Sequence, residues 1–441
     1  MATPNYLKAL TITIILHAPL LAAEDERAKI PVLTLKELES EMINQSLDLK
    51  SKNYEVEAAK EKREALSSNY IPKLTLEGTY KYVSEIPEIN MAPGRTFKFG
   101  DNKNYSIGPT LSMTLFDFNS RSQMQNSLDK TTSAKENETK TLTSHSLFKT
   151  RLHYLNLVFL LEKRNLTFES LKVAKKQFND VAAKKRYGSG SRLDLLTAQK
   201  EVHELESQLK EIDFNITAEQ IELYKVTFHQ KIKEENYTQG LNKLETLNEL
   251  QSRFAHYHNN IPSVQSNAKV KSIRDLSESF ESQANAISSQ RYPKIVLFAR
   301  TSLDYPNGPD LTRFNQNAVG VSLSMPLFDG GELSHNMNEK NLQAMVLKQQ
   351  ALNEERNISE SIQLAIKRIE NLQEQNEIIE KKIEESEDIA NLLYKSYQDG
   401  RGTFIEVERA NIKRRESKLS LSLNQYQIIH NLIQLADVAG E

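Results

Sequence analysis

Between Lys73 and Ala439 the apolar positions recur at two different spacings. Long stretches step by three and four residues, and short stretches step by two. The long ones, Ser120–Tyr187, Ser191–Gln239, Glu332–Asp399 and Thr403–Ala439, contain neither Gly nor Pro and are rich in Leu, Ile, Ala, Glu, Lys and Gln, which predicts helices. Within Glu332–Asp399 the residues Ile358, Ile362, Ala365, Ile369, Leu372, Asn376, Ile379, Ile383, Ser386, Ala390 and Leu393 form one seam with the heptad step of a left-handed coiled coil. A helix of that length spans about 100 Å, far beyond a globular domain, so it must pack lengthwise on partners.

The spacing of two marks four strands, expected at about 73–83, 105–116, 294–304 and 318–328. Leu74, Leu76, Tyr80 and Tyr82 alternate with Lys73, Thr75, Glu77, Thr79 and Lys81; Tyr105, Ile107, Leu111, Met113 and Leu115 alternate with Ser106, Thr110, Ser112 and Thr114. The later pair alternates in the same way, at Ile295, Leu297, Ala299 and Leu303 and at Val319, Val321, Leu323, Met325 and Leu327. Strands of about ten residues with one apolar side and one polar side suit the wall of a transmembrane barrel, lipid outside and water inside. A half-buried sheet of a soluble protein is the other reading, but the long helices spend their apolar stripes on one another and leave nothing to cover the sheet. Tyr70, Tyr82, Phe116, Tyr292, Tyr305 and Phe328 stand near strand ends, where an aromatic girdle belongs. Four strands cannot close a barrel, and an open edge in lipid leaves backbone groups unsatisfied, so the barrel has to be shared between chains.

The chain is also a duplication. Gly108-Pro-Thr-Leu-Ser-Met-Thr-Leu-Phe-Asp117 and Gly320-Val-Ser-Leu-Ser-Met-Pro-Leu-Phe-Asp329 agree at seven of ten positions, 212 residues apart. The same offset carries Gly188, Gly190 and Ala198 onto Gly400, Gly402 and Ala410, and Pro72-Lys73 is echoed by Pro293-Lys294. Each half therefore reads helix, strand, loop, strand, long helix, tight turn, returning helix. The expected organisation is a first repeat over 24–225 with its helical-hairpin turn at about 187–191, an irregular segment over 226–262 that contains Gly240 and Pro262, and a second repeat over 263–441 with its turn at about 399–403.

Ahead of the repeats, Ala9–Ala23 is an apolar run of about 15 residues, interrupted by Pro19 and followed by Glu24, Asp25 and Glu26. It is too short to span a bilayer as a helix and reads as a secretory signal peptide over 1–23, cut near Ala23, with the mature chain bearing no lipid. The absence of Cys among 441 residues excludes disulfides, thiolate zinc sites and cysteine nucleophiles. Lys and Arg number 57 against 59 Asp and Glu, a net charge of −2, which gives no electrostatic case for nucleic acid. A mean hydropathy of −0.56 argues against a bundle of membrane-spanning helices.

Candidate chemistry is sparse. His256-Tyr257-His258 lacks a third nearby ligand and the helical spacing of a metal site, and reads as a solvated helix end. Gly188-Ser-Gly190 has no preceding strand and no following Lys, so it is a hairpin turn rather than a phosphate loop. Ser191-x-x-Asp194 and Thr403-x-x-Glu406 both read as capping boxes that start the returning helices. Without a nucleophile, base or cofactor constellation, an enzyme is not expected, and no cofactor or metal is called for.

Taken together, the duplicated strand pair and long helix, the Leu-Phe-Asp that closes the strand before each descending helix, and the turns Tyr187–Gln199 and Tyr397–Ala410 resemble the TolC-like outer-membrane efflux proteins. The resemblance runs from about Leu33 to the end of the chain. It implies a mainly α fold: a homotrimer whose 12-strand outer-membrane barrel, four strands from each chain, continues into a periplasmic tunnel of 12 coiled helices, with the 226–262 segment as a belt around mid-tunnel. It also implies a passive exit duct for drugs, metals or polypeptides, energised by an inner-membrane pump through a periplasmic adaptor that meets the Gly188, Gly190, Gly400 and Gly402 turns. Tyr397, Asp194 and Glu406 match the family's bridge tyrosine and acidic positions near the pore constriction. Where the family commonly carries an arginine and a second acid, this chain has Gly402 and Arg409, with Arg401 adjacent as a substitute cation.

Two other classes can be set against the duct. A periplasmic or surface coiled-coil protein would explain the helices and leave the four strands idle, and a porin or barrel receptor would devote most of its chain to strands.

Overall fold

The computed structural model describes residues 34–92, 95–228, 244–260 and 263–440. The expected signal peptide, its cleavage site near Ala23, and Gly240 and Pro262 of the expected irregular segment lie outside the described residues. The chain is mainly helical. Its order is α1 (Leu35–Gln45), α2 (Leu47–Ser67), β1 (Lys73–Tyr82), β2 (Glu88–Ala92), β3 (Arg95–Lys98), β4 (Lys103–Phe116), α3 (Ser120–Arg186), α4 (Arg192–Phe228), α5 (Leu247–Phe254), α6 (His256–Asn259), α7 (Ala268–Ser289), β5 (Lys294–Tyr305), β6 (Phe314–Ser324), α8 (Glu332–Gln398) and α9 (Phe404–Ala439). Among the described residues no helix is long and apolar enough to cross a membrane.

The four long strands form one antiparallel sheet in the order β1-β4-β5-β6, so the two halves of the duplication are joined along β4 and β5. Register sorts the side chains into rows. Leu74, Leu111, Ala299 and Val319 lie abreast on one face, while Lys73, Ser112, Phe298 and Gly320 lie abreast on the other. Strand β6 begins at Phe314, four residues ahead of its expected start, and ends at Ser324. Its partner β5 begins at Lys294, directly opposite Ser324, and Pro326 beyond that point has no N–H for a ladder. The loop of the first half holds a hairpin, β2 with β3, that the alternation pattern did not predict. Gly108 is required by packing rather than by a turn: a Cβ there would sit 2.0 Å from the Thr301 carbonyl oxygen on β5. At the duplicated position, Gly320 makes room for the Phe298 ring, which a Cβ would meet at 2.8 Å.

Helices α3 and α8 are both 67 residues long, and α4 and α9 return beside them as antiparallel partners. The heptad seam of α8 is the buried side of that helix, with Ile358, Ile362, Ala365, Ile369, Ser386 and Ala390 inside. The largest core lies at mid-length, where α1 and α5 are laid across the long helices. Tyr154, Leu155 and Val158 of α3 share one buried cluster with Leu250 and Phe254 of α5, Ile362 and Ile369 of α8, and Ile429 and Ile433 of α9. The reason α5 stays there is local as well: Thr246 and Glu249 form a complete capping box, and the Tyr154 hydroxyl accepts the Glu245 N–H at 3.1 Å.

Nearer the sheet the packing changes character. Helices α3 and α7 approach through small polar side chains, with Ser127 Oγ 3.0 Å from Ser279 Oγ, Asn126 donating to Ser282 at 2.9 Å, and both Ser133 and Asn137 donating to Asp275. Arg121 then ties sheet to helices. It donates to Asp117 at 2.6 Å, to the Asn69 carbonyl at 2.8 Å and to the Thr114 carbonyl at 3.0 Å, with its guanidinium 4.5 Å from the Tyr70 ring. The duplicated aspartate shares one role and differs in another: Asp329 accepts the Leu333 N–H at the start of α8 as Asp117 accepts that of Arg121, and it takes the Gly331 N–H where Asp117 takes the Arg121 side chain.

Candidate pore constriction at the hairpin tips

Both long helices end in the same turn. In the first, Gly188 N–H donates to the Lys185 carbonyl at 3.1 Å and Ser189 N–H to that of Lys184 at 3.0 Å; in the second, Gly400 donates to Tyr397 at 3.1 Å and Arg401 to Ser396 at 2.9 Å. This pair of bonds is the Schellman motif, which needs a left-handed residue one past the helix cap. Gly188 and Gly400 supply it at φ of +81 and +78. The other two tip glycines have separate causes. A Cβ on Gly190 would lie 2.6 Å from the Lys185 backbone nitrogen, whereas one on Gly402 would come no closer than 3.4 Å, to the side-chain oxygens of Glu406 and Ser396.

The returning helices start differently from each other. At α9 the capping box is complete: Glu406 Oε2 accepts the Thr403 N–H at 2.9 Å and its hydroxyl at 3.0 Å, and Thr403 Oγ1 accepts the Glu406 N–H. The Thr403 N–H, then the Thr403 hydroxyl, and more weakly the Arg409 charge hold the Glu406 carboxyl below its usual range. At α4 the reciprocal bond is missing. Ser191 Oγ accepts from Leu193 N–H at 3.1 Å, and Asp194 faces Tyr397 instead of returning to the cap. The expected box at Ser191-x-x-Asp194 is thus a plain serine cap, with its acid beside Tyr397 of the other hairpin.

Tyr397 is the centre of the tip. It is 6% exposed and packs with Val181, Ala198, Phe404 and Val407, its ring edge-on to Phe404 at 5.4 Å. Burial, and then the neighbouring Asp194 carboxylate, push its hydroxyl up to about 12, and that oxygen has no hydrogen-bond partner of good geometry. Two contacts that the sequence did not suggest hold the hairpins together here. Lys184 Nζ donates to the carbonyl oxygens of Tyr397 and Gln398, each at 2.9 Å, and lies 4.6 Å from the centre of the Tyr397 ring. The Tyr394 hydroxyl donates to Asp180, and burial followed by that carboxylate raises its pKa. The run Lys184-Lys185-Arg186 in the last turn of α3 was the available signal, a cationic helix end. Nothing in it pointed to a different helix as the acceptor.

Glu406, Arg409 and Arg401 are exposed at the tip, and Arg401 has no side-chain ion pair among the described residues. Its place as a substitute cation is therefore not filled by a contact within one chain. Elsewhere, His256 Nδ1 lies 3.0 Å from the Arg253 carbonyl oxygen, and no group of metal-ligating side chains occurs among the described residues.

Two segments of the chain, residues 38–227 and 263–441, match the family described as Outer membrane efflux protein. The same fold occurs in solved structures of low identity. The outer membrane protein VceC from Vibrio cholerae is 16% identical over 92% of this chain and 97% of its own, with a TM-score of 0.74. The outer-membrane channel OprN is 14% identical over 92% and 90%, with a TM-score of 0.75. The Campylobacter jejuni CmeC outer membrane channel is 14% identical over 92% and 85%, with a TM-score of 0.72. No curated protein matches the chain.

Proposed function

The chain belongs to the outer membrane efflux protein family, and on that footing we propose that three copies close a 12-strand barrel in the outer membrane above a helical periplasmic tunnel. The observation that carries this reading is the pair of open sheet edges. Each chain ends its sheet in β1 on one side and β6 on the other, and successive antiparallel pairings make those two strands run in opposite directions. The β6 of one copy can therefore continue the antiparallel ladder onto the β1 of the next, which leaves no backbone group unpaired in lipid. The apolar face containing Leu74, Leu111, Leu297 and Val321 would meet the acyl chains and the opposite face the lumen. Helix α8 supports the same assembly, because it leaves Leu342, Met345, Val346, Ile378 and Leu392 exposed in a single chain, a second ridge for a neighbouring copy to cover.

The assembled duct would conduct drugs, metals or polypeptides passively, with an inner-membrane pump supplying energy and a periplasmic adaptor meeting the tips at Gly188, Gly190, Gly400 and Gly402. Asp194, Tyr397, Arg401, Glu406 and Arg409 would surround the constriction. A fibrous coiled-coil protein is disfavoured, since it has no use for a sheet with one continuous apolar face. The deciding experiment is native mass measurement and electron microscopy of the protein extracted from outer membranes in detergent. A threefold particle that conducts in planar bilayers is expected; a monomer, or a protein that salt or urea washes off the membrane, would overturn the reading.

A further inference from the structure

We propose that the root of the sheet forms an anion-attracting collar, made by Lys73 and Lys294 of each copy, which draws small negatively charged solutes from the helical tunnel into the barrel. The collar takes its setting from the channel reading above. A cavity of about 540 Å³ opens where the strands meet the helices, and both lysines line it together with Ser112, Thr114 and Ser324. Both stand on the polar face of the sheet, Lys73 opposite Ser112 and Lys294 opposite Ser324. Each follows a proline at a helix-to-strand junction, Pro72-Lys73 in the first half and Pro293-Lys294 in the second. The duplication thus repeats one cation at both junctions of every chain.

What distinguishes these lysines is that their charge is uncompensated. The one acid lining the cavity is Asp117, which is 15% exposed and held by Arg121 at 2.6 Å. Arg121 in turn donates from its two terminal nitrogens to the Asn69 and Thr114 carbonyls. The next acid along the polar face is Glu77, which accepts from Thr110 at 3.1 Å and lies 3.8 Å from Arg300. Neither Lys73 nor Lys294 has an ion pair or side-chain hydrogen bond among the described residues. Two free cations per chain become six around a threefold axis, in a passage whose low-dielectric wall concentrates their field. Lysine is a mobile point charge without the geometric fork of arginine, so the collar favours anions as a class, carboxylates, sulfonates and phosphate esters alike, rather than one shape. The hydroxyls of Ser112, Thr114 and Ser324 add neutral hydrogen bonds and no competing charge.

The test uses the full-length trimer carrying Lys73→Gln, Lys294→Gln or both, with Lys81→Gln at the far end of β1 on the same face as control, each checked for assembly by native mass. Reversal potentials under a KCl gradient should show the chloride-to-potassium permeability ratio falling about threefold or more in the double variant, part of the way in each single variant, and little in the control. Binding of the trisulfonate dye pyranine at low salt, read by fluorescence anisotropy, should be lost in the double variant and weakened by added salt. An unchanged permeability ratio, or equal dye binding by the wild type and an assembled double variant, overturns the collar. A wild type that conducts nothing overturns the channel reading instead, and the dye measurement then decides the collar alone.

Discussion

Lys184, in the last turn of α3, caps a helix to which it does not belong: its ammonium donates to the carbonyl oxygens of Tyr397 and Gln398 at the end of α8, each at 2.9 Å. Those carbonyls are among the four that any helix leaves unpaired at its C-terminus, where the helix dipole also favours a cation. One side chain thereby links the end of the first hairpin to the end of the second.

Lys184→Met, which keeps the stem and removes the charge, should loosen the second turn by roughly 1 kcal/mol. Amide exchange at Asp399, Gly400 and Arg401 should speed up about fivefold, with the mid-length core around Tyr154 and Ile429 unaffected. Lys185→Met, one residue away and exposed, should change neither.

Leu111→Arg and Ser112→Arg place the same cation on opposite faces of β4. Leu111 lies abreast of Leu74 and Ala299 on the apolar face, and a cation there at mid-bilayer costs about 2 to 4 kcal/mol per chain. The Leu111 variant should fail to insert. The Ser112 variant should assemble and alter conductance. Heat-resistant trimers in outer-membrane fractions distinguish the two, and like behaviour would reverse the assignment of faces.

Three copies of Glu406 around the proposed constriction would favour cations at that level of the pore, and Glu406→Gln should weaken this local preference while leaving the fold intact, since glutamine also completes a capping box. The bonds from Thr403 lower the carboxyl's pKa, so its charge and its cap are present at neutral pH and are lost only as pH falls through that lowered value. Selectivity recorded at about pH 5 should therefore match that at pH 7, and should decline in stronger acid for the wild type but not for the variant. A wild type whose selectivity titrates near neutrality would show that another group sets it.

Gly108→Ala and Gly188→Ala test two different reasons for glycine. At Gly108 the new methyl would lie 2.0 Å from a β5 carbonyl, so the β4–β5 pairing that joins the halves must break or shift. At Gly188 nothing lies within 4 Å, and the cost is the left-handed backbone alone, about 1 to 2 kcal/mol. Trimer yield should collapse for the first and fall slightly for the second.

The helices and the sheet rows were legible because their signals are periodic and summed over many residues: the seam from Ile358 to Ala390, and the alternation from Leu74 to Tyr82. The β2–β3 hairpin was not, since its strands are short and Pro93 and Gly94 stand between them. At the tips the Schellman glycines could be read from their duplication. The contacts of Lys184 and Asp180 could not, because each joins residues more than 200 positions apart with no echo in the other half. The fate of Asp194 shows the same limit. Its spacing from Ser191 is that of a capping box, yet the carboxylate turns to a tyrosine that only folding brings near.

The equal length of α3 and α8, 67 residues each, makes the pair of helical hairpins a calliper. Both hairpins hang from one sheet, so their tips reach the same depth only while the two helices keep the same count. Removing one heptad from α3 alone would lift its tip by about 10 Å and carry Lys184 away from the Tyr397 carbonyl. Shortening α3 and α8 together, with matching cuts in α4 and α9, would preserve every lateral contact and change only the gap that the molecule can bridge. Drift in length is thus confined to paired, seven-residue steps, and the duplication itself becomes the constraint that keeps the two halves in step.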